Sequence, residues 1–249
     1  LRRVDVAINA RPVSVSPHVA LPLLPLVVLD PGHGGKDIGA QGVHGLLEKK
    51  VNLEISKRVK GILEKRYKYR VLLTREDDTF VPLRERGALA NENSASMFVT
   101  IHTNAAPRKT AQGIETYYLG IGSSERARET AARENGELVK SVNDDQVQGI
   151  LADLLSTSKI NDSSRLAGRV QGHLASVIKR YDGVKNLGVK EGPFFVLHDT
   201  NMPSVLIEVG FITNSDEERR LDSNSYLNLL AFSIAQGIHE FLQERDPLI

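Results

Sequence analysis

Four side chains in this sequence have types and settings suited to hydrolytic metal chemistry: His33, Glu48, His102 and Glu208. His33 sits among Gly32, Gly34 and Gly35, directly after an apolar run that ends in Asp30-Pro31. His102 ends the run MFVTIH, Glu208 lies inside VLIEVG, and Glu48 opens an amphipathic stretch. Catalytic zinc commonly takes three protein ligands, often two histidines and a carboxylate, and keeps one position open for water. The ion acidifies that water, and a further carboxylate can take its proton and return it to a leaving amine. Two imidazoles and one glutamate as ligands, with the other glutamate as base, suffice for hydrolysis of an amide. Each residue also has a plainer reading. A lone histidine after a strand is more often structural. Glu48 at a helix start suits the positive end of the helix dipole. A glutamate inside an apolar strand can be satisfied by a buried ion pair, because an unpaired buried carboxylate is costly.

Other chemistries lack their signatures. GHGGK does not have P-loop spacing, and GxGxxG and HExxH are absent. His-Gly-Gly without a GxSxG elbow does not make a serine hydrolase. With no cysteine, the chain has no disulfide, thiolate metal site or cysteine nucleophile. A net charge of +1 over 249 residues gives no basis for nucleic-acid binding. The apolar stretch 19–29 is broken by Pro22 and Pro25 and falls short of the roughly 18 residues of a membrane span. Hydrophobic and charged contents of 41% and 25% suit a soluble core.

The elements that must position these residues follow from periodicity. Residues 1–25 carry four prolines and read as an extended lead-in or linker; the start at Leu1 rather than Met suits a fragment or processed form. Leu26–Leu29 is a short apolar strand, covered on both faces. Val51, Ile55, Val59, Ile62 and Leu63 have helical spacing. Strands are expected at Val71–Thr74, Met97–Ile101, Ile114–Leu119, Phe194–Leu197 and Val205–Val209. Helices are expected at Leu83–Asn91, Leu166–Tyr181 and 226–243, and a capping box at Ser215–Glu218 should open another. This alternation predicts an α/β fold with a mainly parallel sheet. Ligands bind beyond the carboxyl ends of such strands, so His33, His102 and Glu208 should converge with Glu48 at one sheet edge. Residues 121–165 break the rhythm: they are polar, helix-favouring and far longer than the usual connection of about 2–6 residues.

Six ordered motifs resemble the zinc-dependent N-acetylmuramoyl-L-alanine amidases of the type-3 amidase family. They are LDPGHGGKDIGAQG, LLEKKVNLEIS, LLTREDDTFVPLRERGALAN, VTIHTNAA, GIETYYL and MPSVLIEVGFITNSDEERRL. The resemblance implies a single catalytic domain over 26–249, built as a twisted, mainly parallel sheet flanked by helices on both faces. It implies Zn2+ held by His33, Glu48 and His102, with Glu208 as catalytic base. The implied substrate is peptidoglycan, cut between N-acetylmuramic acid and L-alanine, in the periplasm or cell envelope. Alternatives are a non-catalytic peptidoglycan-binding module of the same fold, which would need a lost ligand or base, and a zinc hydrolase of another amide or peptide. Arg75 and Arg84 are candidates for substrate carboxylates or for internal ion pairs. Asn104 is a candidate substrate contact or a strand cap, and His198 reads as a surface or substrate-side residue rather than a ligand.

The insert is similar to that of Gram-negative cell-division amidases, in which a helix covers the active site until an activator protein draws it away. That similarity makes 121–165 a regulatory insert and Glu134, in TAARENGELV, the first candidate to plug the fourth metal position. Glu137 and Glu129 are alternatives, and the plainer reading is a solvated helix face. Val147, Ile150, Leu151, Leu154 and Leu155 have apolar helical spacing that suits packing on the domain or docking of the activator.

Overall fold

The apolar run after the prolines forms β1 (Leu26–Pro31), and every one of its residues is buried. The computed structural model describes residues 24–122, 124–136 and 157–245. The elements after β1 are α1 (Glu48–Arg66), β2 (Arg70–Leu73), α2 (Leu83–Glu92), β3 (Met97–Asn104), β4 (Ile114–Leu119) and α3 (Glu125–Asn135). Then come α4 (Thr157–Arg180), β5 (Asn186–Gly192), α5 (Phe195–His198), β6 (Ser204–Phe211), α6 (Ser215–Leu221) and α7 (Asn224–Arg245). The strands make one sheet in the order β2-β1-β3-β6-β4-β5. All neighbours run parallel except β4 and β6, which are antiparallel. The α/β class and the mainly parallel sheet are therefore as expected.

The central strands β1, β3 and β6 are buried throughout. Helices cover both of their faces, so their sequences are continuous apolar runs rather than alternating ones. Val27, Leu29, Val99, Ile101, Val205 and Ile207 pack with α1, α4 and α7 in the larger core. Val28, Phe98, Tyr117 and Leu206 pack with α2, α3 and α5 in the smaller one. The stripe Val51, Ile55, Val59 and Leu63 seats α1 on its face of the sheet. Among the described residues, no helix is long and apolar enough to cross a membrane.

Several elements differ from the sequence expectation. Phe194–Leu197 is not a strand; Phe195–His198 is a short helix, and the sheet's outer strand is Asn186–Gly192. A four-residue apolar run carries no period that separates helix from strand. The outer strand, NLGVKEG, has only one residue that is fully buried and two glycines, so it shows no strand pattern. Helix α6 forms where the capping box lies, but its cap is Asn214, whose side chain accepts from the N–H groups of Asp216 and Glu217. Helix α4 starts at Thr157 rather than Leu166, so residues 157–165 continue a helix of the larger core. Glu137 and the apolar residues Val147 to Leu155 lie outside the described residues.

Candidate metal centre

His33, Glu48, His102 and Glu134 come together, each offering one donor atom, with all four atoms within 4.8 Å of one another. The fold explains three of them. His33 sits just past the end of β1, Glu48 is the first residue of α1, and His102 lies near the end of β3. The fourth comes from the insert: α3 lays Glu134 over the other three. His33 Nε2 is 3.3 Å from Glu48 Oε1 and 3.2 Å from Glu134 Oε2. His102 Nδ1 is 3.3 Å and 2.9 Å from the same two oxygens. Nitrogen and oxygen ligands about 2.0–2.1 Å from a tetrahedral ion stand about 3.3 Å apart, so these separations fit the edges of such a tetrahedron.

Hydrogen bonding does not account for this closeness. Among the described residues, His33 Nε2, His102 Nδ1 and Glu134 Oε2 are buried without a hydrogen-bond partner, and buried polar atoms rarely stay so. Electrostatics points the same way. Burial opposes charge on the imidazoles, yet Glu48 raises His33 far above the ordinary histidine range and Glu134 raises His102 to about 9. Burial opposes charge on the carboxylates too, yet His33 holds Glu48 well below its usual range and His102 holds Glu134 at about 2. The two carboxylates demand positive charge between them, which a cation supplies directly.

Glu208 stands beside this cluster without belonging to it. It faces His102 in the register of β3 with β6. It is fully buried, and neither carboxylate oxygen has a hydrogen-bond partner among the described residues. Burial, and next the charge of Glu134, push its carboxyl well above the usual carboxylate range. A proton-accepting group held next to a metal cluster, with both oxygens free, is equipped for acid–base chemistry on water or a leaving group.

Residues 27–240 match the sequence profile of the family described as N-acetylmuramoyl-L-alanine amidase. The chain belongs to this amidase family. It is 36% identical over 228 residues to the N-acetylmuramoyl-L-alanine amidase AmiA of Escherichia coli, covering 89% of this chain and 77% of that one. Among solved structures it is similar to amidase AmiC2 of Nostoc punctiforme, with a TM-score of 0.66 and 35% identity, over 88% of this chain and 97% of that one. It is also similar to the CwlD amidase of Clostridioides difficile, solved in complex with the GerS lipoprotein. There the TM-score is 0.62 and the identity 26%, over 88% of this chain and 99% of that one.

The amidase holds the clustered side chains from behind. Glu48 Oε2 accepts from the Ala40 N–H at 2.8 Å, and its Oε1 accepts from the Thr103 N–H at 2.9 Å. His33 takes a positive φ of 62°, unusual for a residue with a Cβ. Arg86 fixes this turn by donating to Pro31 O, His33 O and the buried Asp30 carboxylate. Gly32 is required because a Cβ there would lie 2.3 Å from the His102 ring.

The other sequence candidates fall in different places. Arg75 is buried and donates to the carbonyls of Pro31, Gly32, Lys49 and Asp77, so it braces the His33 turn. Arg84 and Glu129 are exposed, on α2 and α3 respectively. His198 ends α5, with Nδ1 2.6 Å from Asp199 Oδ1. Asn104 is buried between Glu115 and Arg133.

Sequence reasoning missed Asp37, whose Oδ2 is 2.9 Å from His33 Nδ1. Its only signal was an acid four residues after a candidate ligand. A carboxylate on the far nitrogen leaves Nε2 free to bind metal and raises its basicity. Asp37→Ala should weaken metal affinity about 10–100-fold, with the fold retained, as read by competition with a chromogenic chelator.

Proposed function

We propose that this amidase is a zinc enzyme of the cell envelope, used in splitting peptidoglycan at division and held shut by α3 until an activator removes it. The observation that carries this reading is the mixed origin of the cluster. Two imidazoles and one carboxylate come from strand ends and the start of α1, and the fourth donor, Glu134, comes from the insert. Two histidines and a glutamate make a donor set used by catalytic zinc, with no thiolate and one position left for the reaction. When bound, the zinc ion supplies Lewis acidity toward the scissile carbonyl and toward water.

The remaining steps belong to the chain. Glu208 takes a proton from the attacking water as its oxygen bonds to the lactyl carbonyl carbon. The C–N bond then breaks, and Glu208 gives that proton to the departing nitrogen of L-alanine. The products are a lactyl carboxylate and a stem peptide with a free amino terminus. The dry position of Glu208 favours this role, because burial raises its proton affinity above that of an ordinary carboxylate. Glu134, seated against both imidazoles, would take the place that the attacking water needs.

Helix α3 is fastened for such a role. The Ser124 side chain caps its start, and Ala127 and Ala131 sit in the smaller core. The Asn135 side chain pairs with Pro193 O and the Phe195 N–H, as a backbone segment would. That CwlD was solved with GerS supports the idea that this fold presents a surface to protein partners. Peptidoglycan lies outside the cytoplasmic membrane, which supports placement in the envelope.

The test is product analysis on purified peptidoglycan, with the native chain and its Glu134→Ala variant. The expected products are stem peptides beginning with L-alanine, lost on chelation and restored by zinc. Cleavage at another bond, or full activity in chelator, would overturn the reading.

A further inference from the structure

The amidase cluster does not use Glu115, yet this residue lies one strand away from the chemistry. β4 pairs antiparallel with β6 so that Glu115 stands opposite Glu208, and His102 stands opposite Glu208 on its other side. Residues opposite one another in register share a face of the sheet, so His102, Glu208 and Glu115 form a row across three strands. Glu115 is fully buried. Its carboxylate is paired with the Lys190 ammonium, and it accepts from Asn104 Nδ2 at 2.7 Å. The ion pair alone would settle the buried charge. The second contact does something more specific.

A carboxylate only accepts hydrogen bonds, whereas a carboxamide has a donor side and an acceptor side. With Nδ2 tied to Glu115, Asn104 must turn Oδ1 the other way, toward α3. The reversed amide would set oxygen against carboxylate and NH2 against guanidinium. Oδ1 accepts from Arg133 Nη2 at 2.7 Å, and the adjacent Ala105 carbonyl accepts from Arg133 Nη1 at 2.6 Å. Arg133 precedes Glu134 on α3. The helix that sets a carboxylate on the metal cluster therefore also fills two neighbouring acceptors with N–H donors. When α3 leaves, both acceptors lose their donors together, beside the metal centre.

We propose that Asn104 Oδ1 and Ala105 O form an acceptor pair for amide N–H groups of the glycan-peptide, that Glu115 is the positioning residue orienting Asn104 for it, and that Arg133 stands in for the substrate in the closed form. This rests on the amidase reading above and deepens it. Arg133 is a fitting stand-in because its fork presents two parallel N–H donors, as an acetamido N–H beside an amide N–H would.

The test uses the full chain carrying Glu134→Ala, a soluble glycan-peptide oligomer, and separate kcat and KM. Asn104→Ala should raise KM about tenfold while kcat moves less than threefold. Glu115→Asp keeps a charge for Lys190 but withdraws the oxygen from Asn104; it should raise KM as Asn104→Ala does. Glu115→Gln must set its NH2 against either the Lys190 ammonium or Asn104 Nδ2, so it too should raise KM by releasing or turning the Asn104 amide. The combination of Glu115→Asp with Asn104→Ala should be no worse than Asn104→Ala alone, because one residue acts through the other. Melting temperatures of all variants check that each is folded, and Asn104→Ala alone decides the acceptor role should the Glu115 variants not fold. If the parent releases no stem peptide, the amidase reading falls and this inference with it. If the parent is active but KM is unmoved in Asn104→Ala, or the two effects multiply, this inference alone is overturned.

Discussion

Glu208→Gln should reduce turnover about 10²–10⁴-fold while leaving metal binding and folding intact. The geometry makes this a clean substitution. Gln has the shape of Glu, so packing against β3 and β4 is retained, but it cannot accept and return a proton. Among the described residues Glu208 has no hydrogen-bond partner, and it is not one of the four clustered donors. Its loss therefore breaks no partner's satisfaction, and the usual penalty for removing one member of a buried pair does not arise. A buried carboxylate kept without a partner is a cost to stability, and its retention is explained by chemistry. The measurement is stem-peptide release in the Glu134→Ala background, alongside zinc content and thermal unfolding. Retention of more than about a tenth of the parent rate would exclude Glu208 as the principal base.

Glu134→Ala should raise the basal activity of the native chain by up to about 100-fold, because a closed form populated to about 99% needs only about 2.7 kcal/mol. The contacts that α3 makes are enough for this. Glu134 lies 2.9 Å from His102 Nδ1 and 3.2 Å from His33 Nε2, and Arg133, Asn135 and the two buried alanines hold the helix in place. Removing this carboxylate leaves the other three donors of the cluster in place and the space beside them open. Glu129→Ala, on the exposed side of the same helix, should leave basal activity where it was. Equal activity of native and Glu134→Ala chains would mean that α3 does not close the centre through this residue.

The chemistry of the centre was largely written in local sequence. His33 after an apolar run and within glycines, His102 at the end of another run, and Glu208 inside a third all sit where strands of a parallel sheet end. Strand ends converge in any such sheet, so residue type and position alone brought these groups to one edge. The motif resemblance then separated ligand from base, which spacing could not do. Helix α1 and the central strands were legible for a similar reason: burial on one face or on both imposes a period on the sequence.

What local sequence could not determine depended on contacts between distant segments. The outer strand Asn186–Gly192 is held by pairing with β4 rather than by its own pattern, and Phe195–His198 takes its conformation from the segments packed on it. Arg75 reads in the sequence as a substrate contact or a member of an internal ion pair; the structure instead shows it, together with Arg86, bracing the His33 turn through backbone carbonyls. The antiparallel entry of β4 beside β6, which sets Glu115 opposite Glu208, has no signature in either strand. The family resemblance names Glu134 as the candidate plug, and the tertiary structure lays α3 over the centre, bringing Glu134 to both imidazoles and, unforeseen in the sequence, Arg133 to Asn104 and Ala105. The reason is physical. Residue type sets which groups can share a cation or a proton, but distance decides whether they do, and distance across the sheet is set by packing.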